Sequence, residues 1–179
     1  VVVGKGSGNG YVLGLAADGT PYWQVGTTRI TGRMPLMTGQ WIHLLGSYNG
    51  QMLGLYVNGT LDVFQDMVGA SPVSGQPLYI GGGLVGRVDE VALHDRALNE
   101  EEIFDHYRSG AGKIRFQARA SNDATFTGIN FVGPSNNPSA YFTEFTGSDM
   151  VGIFSLSQYF QFRAYFETED ARVRPQLYG

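Results

Sequence analysis

One acid stands where an acid is expensive. Gly86 to His94 reads as a strand in which Asp89 falls on the side of Val91 and Leu93, while Val88, Glu90, Ala92 and His94 take the other side. A carboxylate in an apolar row has to be paired, hydrogen-bonded or bound to a cation. Backbone amides, Arg87 or Arg96 would satisfy it without any ion. The three histidines, His43, His94 and His106, lie far apart in sequence and on different elements. Their spacing matches neither a nucleophile triad nor a metal-histidine site. Tyr22, Trp23, Tyr48 and Tyr56 are the rings that could lie against a sugar, though packing between sheets explains each of them equally well. The loop Gly4 to Gly10 sets Lys5 among glycines, as an anion cradle would. Its spacing is not that of a P-loop, and a strand rather than a helix follows it, so a flexible hairpin loop is the simpler reading.

The elements that must position these residues are mostly strands. Trp41 to Tyr48, Gln51 to Val57 and Leu61 to Phe64 are apolar or alternating runs separated by Asn49-Gly50 and Asn58-Gly59. Asn-Gly between such runs signals a type I′ hairpin, so the three form an antiparallel meander. Tyr11 to Ala17 and Pro21 to Val25 join at Asp18-Gly19, residues 26 to 40 read as a looser connection, and Leu78 to Gly83 pairs with Gly86 to His94. Asn58-Gly59-Thr60 is also a glycosylation sequon, but the turn accounts for its asparagine. Asn99 with Glu102 forms a capping box, Leu98 and Ile103 a hydrophobic staple, and the helix they start is expected to stop at Gly110 and Gly112. Capping also explains the three glutamates Glu100, Glu101 and Glu102.

From Lys113 the pattern changes. Ile114, Phe116, Ala118 and Ala120 alternate with Lys113, Arg115, Gln117 and Arg119. Phe160, Phe162, Ala164 and Phe166 alternate in the same way with Tyr159, Gln161, Arg163 and Tyr165. Both are strands buried on one face, with a third strand expected over Ala140 to Phe145. If the two long strands pair, Arg115, Arg119, Arg163 and Tyr159 share a face, which is expected to be solvated. Residues 1–110 and 111–179 are thus two domains, hinged near Ser109 to Gly112.

Composition sets the outer bounds. Twenty-six glycines, 13% aromatics and 16% charged residues in 179 suit strands and turns more than helices. A net charge of −4 with scattered Lys and Arg gives no footprint for nucleic acid. No apolar run reaches membrane-spanning length. Cysteine is absent, which removes disulfide and thiolate-metal chemistry.

The motifs W-I-H-x-x-G-S-Y-N-G, L-Y-V-N-G, L-Y-I-G-G-G and G-R-V-D-E-V-A-L-H-D-R-A-L-N-E-E-E-I occur in that order. Together, over residues 1 to 108, they resemble the laminin-G-like, concanavalin-A-type jelly-roll family, in particular its bacterial surface-protein members. The resemblance implies an all-β chain: an antiparallel jelly-roll β-sandwich followed by a second, small β-sandwich domain. It also implies further strands upstream of Val1, so the first sandwich is expected to be incomplete at its amino-terminal edge. The open edge near Val1 to Val3 would then pair with upstream strands of the same protein or with another chain. In many such domains an aspartate at the place of Asp89 holds a structural calcium ion with backbone carbonyls. The F-Q-x-R and Y-F-Q-x-R-A-x-F-x-T blocks resemble a module that often follows these domains.

Related glycosidases carry an E-x-D-x-x-E strand, which sets acid and nucleophile side by side. This chain has none; Glu144, Glu167, Glu169 and Asp170 fall near strand ends. The expected function is therefore non-catalytic: adhesion or glycan binding in a large secreted or cell-surface protein, with a glycan or surface protein as partner. The alternatives are a structural part of an extracellular filament or envelope layer, and an accessory module of a polysaccharide-degrading enzyme. Neither nucleic-acid binding nor membrane insertion is expected of this segment.

Overall fold

The computed structural model describes residues 1–6, 8–143, 157–168 and 170–174. Valine, leucine and aromatic runs, each stopped by a turn, give β1 (Val3–Lys5), β2 (Tyr11–Leu15), β3 (Pro21–Val25), β4 (Thr28–Thr31), β5 (Leu44–Tyr48), β6 (Met52–Val57), β7 (Thr60–Asp66) and β8 (Leu78–Ile80). The helix α1 (Glu100–Ala111) and the strands β9 (Gly112–Ser121) and β10 (Tyr159–Thr168) follow. The chain divides into two units, Val1–Ser109 and Gly110–Gly179.

The first unit is a sandwich of two antiparallel sheets, ordered β4-β3-β2-β1-β8 and β5-β6-β7. Directly opposed residues share a face. Register therefore sends Val3, Leu13, Trp23 and Ile30 to one side, with Lys5, Tyr11, Val25 and Thr28 along the same side. That side meets Leu53 and Leu55 of β6, and Val3, Leu13, Trp23, Val25, Ile30, Leu53 and Leu55 form one buried cluster. The other face of the β5-β6-β7 sheet is covered by α1. A side chain on Gly59 would run into Phe104 and Tyr107, and Ile103 is fully buried.

The two Asn-Gly pairs turn the chain differently. Asn58 and Gly59 both take positive φ, 50° and 72°, as a type I′ turn requires. At the first turn Gly50 is left-handed at φ 88°, while Asn49 uses its side-chain oxygen to accept the amides of Gln51 and Met52. The helix starts on the expected capping box: Glu102 N–H donates to Asn99 Oδ1 and Asn99 N–H to Glu102 Oε2, each at 2.9 Å. Arg96 adds a two-pronged ion pair to the same carboxylate, at 2.7 and 2.8 Å. Hydrogen bonds from Arg96 first, and then the Asn99 amide, hold the Glu102 carboxyl down at about 2.

Several expectations are corrected. The edge at Val1 to Val3 is not open, because β1 pairs with β2 on one side and β8 on the other. Leu78–Ile80 is thus spent on β1, and Gly86 to His94 forms no strand. Residues 26 to 40 hold β4 rather than a plain loop. The helix runs through Gly110 to Ala111, and β9 begins at the next residue without a connecting loop. Of Ala140 to Phe145, Phe142 makes an isolated bridge to Phe116, and residues 144 and 145 lie outside the described residues.

In the second unit β9 and β10 pair along ten residues, from Tyr159↔Ser121 to Thr168↔Gly112. The face expected to be solvated is partly covered along β9, at Arg115 and Arg119, while Tyr159 and Arg163 of β10 stay exposed. Arg119 lies over Phe126 and Phe131, Arg163 over Phe131, and Arg115 over Tyr141, at 4.2 to 4.7 Å from the ring centroids. Arg115 also pairs with Glu167. Gln117 is buried with both ends satisfied: its amide donates to Pro138 O and Ala140 O, and its carbonyl accepts from Tyr165 Oη. The Phe160, Phe162 and Phe166 row is about half exposed. The reason is the path of residues 122–142. They bridge to β9 at Val132 and Phe142 and bring their rings over the arginine stems.

Losing the cap should cost about 1 kcal/mol in Asn99→Ala, read as a lower urea midpoint. The folded state holds Glu102 ionised to lower pH than an unperturbed carboxyl at 4.5. Its contribution is therefore present above that value and lost as pH falls towards 2. Glu102→Gln should be less stable than the natural chain at neutral pH and converge with it across that window.

Candidate functional site

The outer face of the five-stranded sheet gathers polar and aromatic side chains. Register places Tyr79, Gly4, Val12, Gln24 and Arg29 in one row across five strands, and Gly14, Tyr22 and Thr31 in the next. The Tyr22 ring lies over Gly14, where a Cβ would come within 2.5 Å of it. Arg29 covers the ring at 4.0 Å from its centroid and donates from Nε to Gln24 Oε1 at 3.0 Å. Tyr79 is 58% exposed at the far end of the row. Buried Gly4 and Val12 lie between it and Gln24, so at ordinary strand spacing the two polar ends stand about 14 Å apart.

The four rings singled out from sequence do not share this surface. Tyr22 is on it. Trp23 points the other way, into the core, and its indole N–H donates to Ser47 O at 3.0 Å. Tyr48 packs against the same core and donates its hydroxyl to Gly69 O at 2.7 Å. Tyr56 is buried on the α1 side of β6, where burial and then Glu100 raise its pKa. Tyr79, Gln24 and Arg29 were missed. The β3–β4 hairpin signal at Gly26 could have placed Gln24 and Arg29 beside Tyr22, but Tyr79 joins them through the β1–β8 pairing, 75 positions apart.

Between the sheets lies a cavity of about 940 Å³ whose wall includes β5, Trp41 and residues 84–98. All three histidines line it. His94 and His106 meet edge to face with centroids 5.2 Å apart, and His43 stands 6.0 Å from the Tyr107 ring. Burial, and next the proximity of His106, hold His43 below the ordinary imidazole range. Among the described residues its buried Nδ1 meets no hydrogen-bond partner. Among the described residues no three His, Cys, Asp or Glu side chains gather closely enough to hold a metal ion.

Asp89 is exposed rather than buried in an apolar row, because the strand that would have placed it there is not formed. Its Oδ1 accepts the Glu90 amide at 2.9 Å. Calcium takes six to eight oxygens, main-chain carbonyls and water among them, so a site here would need such oxygens beside Asp89 Oδ2.

A laminin G family model, described as the concanavalin A-like lectin/glucanases superfamily, matches residues 1–104. The chain belongs to this superfamily. The match covers both sheets of the sandwich and ends within α1, so the second unit lies beyond it. The crystal structure of an S-layer domain-containing protein (residues 221–444) from Clostridium thermocellum is 24% identical over 56% of this chain, with a TM-score of 0.31. The aligned part spans 58% of that chain. No curated protein matches. No helix among the described residues is long and apolar enough to cross a membrane.

Because burial in the folded sandwich lowers the His43 pKa from 6.5, the unfolded chain binds more protons once pH falls below about that value. Stability should therefore drop between neutral pH and the mildly acidic range. His43→Gln should flatten that slope in urea unfolding followed at several pH values.

Proposed function

We propose that residues 1–109 are a non-catalytic binding module of a secreted or cell-surface protein, and that the outer face of the five-stranded sheet takes a glycan. The observation that carries this is the row from Tyr79 to Arg29, with Tyr22 beside it. An exposed ring offers an apolar face to a pyranose, and the guanidinium and amide at the other end offer donors and an acceptor to hydroxyls. Membership of a superfamily named for lectins as well as glucanases supports a sugar as the ligand class.

Binding of the 179-residue chain to immobilised glycans tests this directly. Tyr79→Ala and Arg29→Ala should each weaken the strongest interaction about tenfold, or about 1.4 kcal/mol. Tyr56→Phe, on the opposite sheet beneath α1, should leave it unchanged. Absence of binding to any glycan, or equal binding by the Tyr79 and Arg29 variants, removes the reading.

Calcium at Asp89 is carried by the resemblance alone and would depend on main-chain oxygens. The geometry at Asp89 leads us to expect the same melting temperature with calcium and with chelator. A rise on adding calcium that Asp89→Ala abolishes would restore the ion.

A further inference from the structure

The Arg29 end of the outer sheet face holds a cation in a fixed pose and leaves its head free. Support begins in the backbone. Gln24 Nε2 donates to Gly26 O at 2.9 Å, and Gln24 Oε1 accepts Arg29 Nε at 3.0 Å. The guanidinium lies 4.0 Å from the centroid of the Tyr22 ring. That ring is seated in turn on Gly14, where a side chain would not fit. Register explains why these groups meet. Gln24 and Arg29 are direct partners across the β3–β4 pair, and Tyr22 stands two positions from Gln24 on the same face.

Nε is thus spent on Gln24. Nη1 and Nη2 have no acceptor among the described residues, and no carboxylate there pairs with Arg29. Other arginines of the first unit are used differently: Arg33 meets Asp62, Arg96 meets Glu102, and Arg108 meets Asp105. The neighbours of Arg29 in the two rows, Tyr79, Val12, Gln24, Tyr22 and Thr31, carry no charge that would occupy it. With a net charge of −4, the chain as a whole does not draw anions. Selection of an anion on this face would be local.

A guanidinium whose Nε is occupied still offers two parallel N–H donors at its end. Their spacing matches the paired oxygens of a carboxylate or a sulfate. A long exposed side chain normally loses rotamer freedom when it binds. Stacking on Tyr22 and the bond to Gln24 have already restricted Arg29, so less is lost when an anion docks. Sugar hydroxyls could accept from the same N–H groups, but an ionised acceptor makes the stronger bond.

We propose, building on the glycan reading of this face, that the glycan is an acidic one whose carboxylate or sulfate Arg29 binds end-on through Nη1 and Nη2. Arg29 is then the residue that touches the anion, and Gln24 and Tyr22 position it.

Binding of the 179-residue chain to matched pairs of polymers tests the proposal. The probes are polygalacturonate and alginate beside their carboxyl-reduced forms, and a sulfated galactan beside its desulfated form. At least one acidic member should bind about tenfold or more tightly than its neutral counterpart, as expected of a hydrogen-bonded charge. The pair that shows the difference identifies the anion as carboxylate or sulfate. The preference should shrink at high salt. Arg29→Gln should bind both members of that pair alike. Arg29→Lys, which keeps the charge but not the fork, should recover only part of the preference. Arg29 is exposed, so both variants should melt with the natural chain. Equal binding of both members of every pair by the natural chain, or an unchanged preference in Arg29→Gln or Arg29→Lys, overturns the proposal. Where the neutral members still bind and Tyr79→Ala weakens them, the glycan reading of the face stands without it. Binding to none of the polymers removes both.

Discussion

The first unit turns on one contact between its sheets, Trp23 of β3 against Gly46 of β5. A Cβ at position 46 would stand 2.3 Å from the indole ring, so the sheets can close to this distance only where β5 has no side chain. The indole N–H would be unmet in such a core, and it donates instead to the Ser47 carbonyl at 3.0 Å. Ser47 already faces β6 in the ladder, so its carbonyl serves the tryptophan with its second lone pair. One residue thus fixes both the separation and the lateral position of the sheets. Buried aromatic residues of this kind contribute about 3–5 kcal/mol. The same closure brings Leu53 and Leu55 against Val3, Leu13, Val25 and Ile30.

What was legible in the sequence follows the reach of each signal. The hairpins at Asp18-Gly19 and at both Asn-Gly pairs, and the Asn99–Glu102 box, are decided within a few residues, and all four form. Gly86 to His94 is the informative failure. Its alternation is real, but alternation states only which side chains would share a face once a neighbouring strand exists. With Leu78–Ile80 bonded to β1, the neighbour the sequence offered is taken, and Asp89 loses the apolar row that made it interesting. The identity of an edge is a property of the whole sheet, so Val1 to Val3, read as an opening, proves to be an interior strand between β2 and β8.

The second unit shows a different limit. Period two correctly separates the phenylalanine row from the arginine row, but it does not say which row is covered. Phe126, Phe131 and Tyr141 come from loops, where no periodicity points to them, and they stack on guanidinium planes. Arginine permits this because its stem and planar head pack on rings while its N–H groups still reach acceptors, as Arg119 does with Gln161 and Ile129 O.

The surfaces of the first unit differ in how they are supported. On the outer sheet face, chemistry is carried by side chains on paired, well-supported strands: Tyr22 rests on Gly14 and is held by Arg29, which is in turn held by Gln24. Such a face is preformed, and a ligand meets it with little ordering cost. Along β5 the outward amides and carbonyls of Leu44, Gly46 and Tyr48 instead meet no strand among the described residues, so β6 alone holds that strand in its sheet. Support on both sides of β3 is what separates the arginine–tyrosine face from this edge.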